Sequence, residues 1–232
     1  MVLKIFDDII TLMTLSPARI WLILEFLLLC VVLPTTIIIF RLAPFMFAFL
    51  WAAALYGAWV TTRTPGGRDF LRAMWRFDAV NADNMRVIIP RWILACIAMT
   101  VIIYFYDPGR MFGLADRIPL WALPLLVLMY TIFSALPQEF IFCAFFFRSY
   151  APFFETALRM VVGSAIIFAY AHVLFINWVA PVLSLVAGII FARTYQKTGS
   201  LALVTIEHGL YGGWLFIVGL GWYFYGGAVA PS

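Results

Sequence analysis

Residues 119–147 read PLWALPLLVLMYTIFSALPQEFIFCAFFF, apolar almost throughout and interrupted chiefly by Ser134, Gln138 and Glu139. A spanning helix needs roughly 20 apolar residues, whereas a membrane β-strand alternates over about ten. The run is continuous and long, so it predicts a membrane helix that is tilted, kinked at Pro124 or Pro137, or split in two. Working outward, further apolar runs cover residues 20–40, 42–61, 88–106, 160–176, 179–195 and 201–221. The expected fold is an all-α polytopic transmembrane bundle of about seven spans, with the tail to Tyr225 offering a partial eighth.

Composition agrees. Of 232 residues, 66% are hydrophobic and 11% charged, and the mean hydropathy is +1.04. Soluble domains run near 45–50% apolar and about 25% charged, so a single core with a polar skin is excluded. Residues 1–232 are expected to form one transmembrane domain, with residues 120–220 as its motif-bearing core. Cys30, Cys96 and Cys143 all fall inside apolar runs and form no spaced pair, which gives neither a disulfide framework nor a CxxC metal site. The first strongly apolar run begins near Ile20, so no cleaved signal peptide is indicated.

The +4 formal charge is read by location rather than as a nucleic-acid signal, and no nucleic-acid partner is expected. With the amino terminus inside, Lys4, Arg19, Arg63, Arg68, Arg72, Arg76, Arg86, Arg91, Arg148, Arg159, Arg193 and Lys197 fall on the cytoplasmic side, and only Arg41, Arg110 and Arg117 outside. Lys and Arg favour cytoplasmic loops. The expectation is an integral protein of a prokaryotic inner membrane with a cytoplasmic amino terminus. Arg68, Arg72 and Arg76, interleaved with Leu71, Met74 and Trp75, are spaced as an amphipathic helix on the lipid surface.

Charged groups within a bilayer cost a few kcal/mol each and tend to mark function. The deep candidates are Glu25, Glu139, His172, Glu207 and His208, with the amide Gln138; the two histidines are the only ones in the chain. Glu25 reads as structural, near Arg19. Glu139, His172 and His208 sit on three different spans, which helix packing can bring to one point. Pairs four apart share a helix face: Phe168 can wall His172 from lipid, and Gly212 can open space beside His208. One carboxylate and two imidazoles can activate water and hold an oxyanion, and the same three could bind zinc with an open fourth position. Counting about 1.5 Å per residue puts Glu139 and His208 roughly 12–14 Å from the cytoplasmic ends of their spans and His172 roughly 18 Å. A cytoplasm-facing cavity is expected.

The order Gln138-Glu139-Phe140-Ile141-Phe142, then Phe168-Ala169-Tyr170-Ala171-His172, then Lys197-Thr198-Gly199-Ser200-Leu201 and His208-Gly209-Leu210-Tyr211 resembles the CAAX protease and bacteriocin-processing (CPBP) family of intramembrane proteases. That family shows Glu-Glu-x-x-x-Arg, Phe-x-x-x-His and His-x-x-x-Asn motifs on successive helices. The resemblance implies an all-helical, metal-free peptidase acting on a peptide or protein substrate in the membrane, such as a prenylated protein. It implies a glutamic-type endopeptidase in which Glu139 and His172 activate water and His208 holds the oxyanion, supported by Gln138, Phe168 and Tyr211. No cofactor is implied, and zinc is disfavoured.

Three positions depart. Gln138 stands at the first glutamate of the motif, Cys143 at its arginine and Gly212 at the asparagine. Gln138 or Tyr211 could supply an oxyanion hydrogen bond instead. The departures also suit a second function class, an inactive family member acting as a binding or bacteriocin-immunity protein. A proton-relaying transporter is the third, but the spans lack the repeated halves common in transporters.

Overall fold

The computed structural model describes residues 17–224, and these form helices without strands. Seven helices are long and apolar enough to cross a membrane: α1 Arg19–Ile39, α2 Ala43–Thr62, α4 Ala82–Tyr106, α5 Ala122–Ser149, α6 Ala157–Phe175, α7 Val179–Thr198 and α8 Leu201–Val218. A short α3, Gly67–Ala73, lies between α2 and α4. Large apolar side chains such as Leu55, Leu94, Phe105 and Leu120 face outward. Only a lipid surround accommodates such a surface, and the chain is an integral membrane protein.

The innermost helix is α8. Of its most apolar 18-residue window 72% is buried, against 17% for α1, α2 and α4, and it packs on α4, α5 and α7. Small residues make the approach to α5 close, as is usual where helices meet in lipid. A Cβ at Gly209 would stand 2.1 Å from Thr131 Oγ1, and one at Gly213 2.8 Å from Val127.

The long run that decides the fold is one helix with two widened, π-type stretches, Thr131–Ala135 and Phe140–Phe145, on either side of Leu136–Glu139. Such widening frees backbone groups and is frequent at functional sites. Pro137 has no N–H to give the preceding turn, and the Phe133 carbonyl one turn back accepts from Trp51 Nε1 of α2 at 3.0 Å. The Phe142 carbonyl accepts from Ser164 Oγ of α6 at 2.6 Å. The neighbouring helices are thereby stitched to the stretch that carries Gln138 and Glu139.

The Lys197–Leu201 turn is equally determined. Gly199 ends α7 in the left-handed region at φ 61°, where glycine carries no Cβ penalty. Ser200 then caps α8, its Oγ accepting from Leu203 N at 3.0 Å. The first free N–H groups of α8 find carbonyls of the loop after α3: Leu201 N donates to Met74 O at 2.7 Å and Ala202 N to Trp75 O at 3.3 Å.

Several expectations are corrected. The third span begins at Ala82 rather than residue 88, because Asn81 caps it by accepting from Asn84 N and Pro90 is carried inside the helix. The amphipathic helix stops at Ala73: Met74 is buried in the core, and Arg76 leaves the helix at φ 37°. Arg91, within the expected span, does not face the cytoplasmic surface as a free cation: it pairs with the fully buried Glu207 of α8. Glu25 of α1 lies near Tyr56 of α2, which leaves its structural reading unchanged. After α8, Leu220–Phe224 is a short 3₁₀ segment; Lys4 and the tail from Tyr225, where an eighth span would continue, lie outside the described residues.

Candidate active site

The packing of α8 on α5 brings Glu139 and His208 into contact. His208 Nδ1 lies 2.7 Å from Glu139 Oε1, and the two side chains are 6% and 1% exposed. Cys143, one turn along α5, donates its S–H to Glu139 Oε2 at 3.1 Å. Both carboxylate oxygens are therefore engaged. The thiol supplies a hydrogen bond at the position where the motif it resembles has an arginine, without the charge. Arg148 does not substitute for it: its guanidinium reaches the Pro65 carbonyl at 2.9 Å and lies over the Phe70 ring.

His208 is also fixed from its faces. Phe191 of α7 stacks on it at 4.6 Å and 20°, and Phe168 meets it edge-on at 5.8 Å. Nε2 lies 2.8 Å from the hydroxyl of Tyr130. Because a carboxylate only accepts, Nδ1 carries a proton; at Nε2 the direction follows the ring's charge, the phenol donating to a neutral ring and accepting from a protonated one.

His172 stands apart from this pair. It ends the α-helical part of α6, and its Nδ1–H donates to the Phe168 carbonyl at 2.7 Å. In the neutral ring this leaves Nε2 as an acceptor. Phe168 links the two histidines, its ring 4.6 Å from His172. Glu139, His172 and His208 do not gather as a metal site; among the described residues no group of three His, Cys, Asp or Glu does.

A cavity of about 1080 Å³ adjoins these groups. Its walls are overwhelmingly apolar and include Tyr130, Ser134, Gln138, Phe142 and His172, whereas Glu139 and His208 lie behind them. Gln138 donates to Ser134 Oγ at 2.9 Å, and its buried Oε1 has no partner. The cavity is lined by the 109–118 connection and by Gly219, Gly221, Trp222 and Phe224, in the half of the bundle away from α3 and its arginines. The expected cavity on the side of the basic loops is thus overturned. At the basic end α8 is instead packed under the Met74–Trp75 segment, which accepts its first N–H groups.

Two supporting assignments also change. Space beside Gly212 is filled, since a Cβ there would stand 2.2 Å from the Tyr130 ring. The Tyr211 hydroxyl has no partner and is absent from the cavity wall, its ring lying against Phe191 at 5.6 Å. Tyr130 was not singled out by sequence reasoning; a phenol nine residues before Glu139 in an otherwise apolar run was the available signal.

No curated protein and no solved structure matches the chain. Residues 120–214, from the start of α5 to the Gly212–Trp214 stretch of α8, match the family model described as Rce1-like, type II CAAX prenyl endopeptidase. It is through this segment, which carries Glu139, His172 and His208, that the chain matches the CAAX-type family of intramembrane proteases.

Proposed function

We propose that the protein hydrolyses a peptide bond of a membrane-associated substrate, of the prenylated kind named in the family's description. The observation that carries this reading is the buried Glu139–His208 contact beside a large apolar cavity whose wall holds His172. Peptide hydrolysis needs a base for the attacking water and positive character opposite the oxyanion. His172 Nε2 is the base: its Nδ1–H is committed to the Phe168 carbonyl, and the ring borders the cavity. It takes a proton from water as the oxygen attacks the carbonyl carbon, then returns it to the departing amine.

Glu139 orients His208. Accepting from Nδ1, it holds the ring with Nε2 toward Tyr130, and a protonated ring in that place would balance the negative charge of the tetrahedral intermediate. The excess of basic residues at the α3 end supports a cytoplasmic amino terminus in a prokaryotic inner membrane.

The test is cleavage of a fluorogenic peptide carrying a farnesylated cysteine, in detergent micelles. Glu139→Gln keeps the volume but loses the charge, and His172→Ala loses the base. Each is expected to lower kcat by roughly 100-fold or more, with the helical circular dichroism unchanged. Full activity in Glu139→Gln ends the proposal.

A further inference from the structure

Gly212 lies one turn after His208 on α8 and has no side chain to offer a substrate. The structure shows what occupies that room. Tyr130 Cε1, Cζ and OH would stand 2.2, 2.4 and 2.5 Å from a Cβ at Gly212, so the phenol end of Tyr130 and any side chain at 212 exclude one another. The same phenol meets His208 Nε2 at 2.8 Å. Tyr130 also borders the cavity, whereas Glu139 and His208 do not. It is held by Phe216, ring centroids 5.2 Å apart, as well as by His208.

We infer that Tyr130 is the oxyanion donor of this site, standing in the space that a side chain at position 212 would otherwise take. The inference rests on the peptidase reading above. When His208 is the imidazolium held by Glu139, Nε2–H donates to the phenol oxygen, and the hydroxyl hydrogen is free for an acceptor in the cavity. The buried charge thereby reaches the substrate through one hydroxyl, with no covalent change to Tyr130. Preorganised donors of this kind act where charge develops, and removing one costs about 10²–10³ in kcat.

The experiment compares four proteins on the farnesylated fluorogenic peptide: the unaltered chain, Tyr130→Phe, Tyr130→Ala and Tyr130→Ala/Gly212→Asn. Tyr130→Phe keeps the ring packing and is expected to lower kcat by about 100-fold with KM changed less than threefold. The double variant, which frees the space and fills it with an amide donor, is expected to exceed Tyr130→Ala in kcat by at least tenfold. In the 15N spectrum of selectively labelled histidine, Tyr130→Phe should shift His208 Nε2 and leave the His172 signals in place, a change that loss of fold would not produce. An active chain whose Tyr130→Phe variant keeps kcat within threefold overturns this inference and leaves the peptidase reading standing. An unaltered chain that cleaves nothing ends both.

Discussion

Cys143 shows how much one atom decides at this site. Its thiol is 2% exposed and gives its hydrogen to Glu139 Oε2. Leaving a buried acceptor unsatisfied costs about 1–3 kcal/mol. Cys143→Ala is therefore expected to be less stable than Cys143→Ser, which keeps a donor, by about 1 kcal/mol in denaturation followed in detergent. Equal stability of the two would show that the thiol does not support the carboxylate. At this scale the sequence was legible wherever a residue type is rare in lipid: Glu139, His172 and His208 stood out as ionisable groups in apolar runs. Tyr130 and Phe191 did not, because phenols and phenyls are ordinary members of an apolar helix, and their part depends on which helix faces which; Cys143 was noticed only for its place four residues after Glu139, not as a donor to it.

Between elements, the strongest polar tie is Arg91 of α4 with Glu207 of α8. Arg91 also donates to Thr194 of α7 at 3.0 Å, so three spans meet there. Glu207 is fully buried, and its Oε2 lacks a partner. Breaking a buried pair from one side leaves an uncompensated charge and costs about 3–5 kcal/mol. Arg91→Met should lower stability by about that much, and Arg91→Met/Glu207→Leu should recover most of it; thermal unfolding in detergent measures both. A double variant no more stable than Arg91→Met would mean that the pair is not the tie. Span positions were readable from apolar length, since crossing a bilayer constrains length and composition directly. The start of α4 was not, because Asp83 and Arg86 read as loop residues, and the Asn81 cap that begins the helix there is a matter of local backbone geometry.

For the whole molecule, the cavity and the arginine-rich loop lie at opposite ends of the bundle. With the amino terminus in the cytoplasm, the cavity end faces outward. In single-cysteine variants of a cysteine-free chain, a membrane-impermeant thiol reagent added outside should label Asp116→Cys, beside the cavity lining, and spare Arg72→Cys. The reverse pattern would invert the chain and turn the cavity toward the cytoplasm. Sequence reasoning located the polar groups along each span but could not read the backbone bonds between the loop after α3 and the start of α8, because backbone pairing leaves no trace in residue type.

The cavity wall has a consequence of its own. Leu29, Cys30, Leu33, Pro34 and Ile37 of α1 and Met46, Phe47, Phe49, Leu50 and Ala53 of α2 make up much of it, and all precede the 120–214 segment that matches the protease family. On the peptidase reading, part of what admits a guest is thus written outside the stretch of the gene that carries Glu139, His172 and His208. A chimaera that exchanges residues 19–62 for those of a related chain should then change which guests are accepted while those three residues stay in place, so selectivity can diverge without touching them.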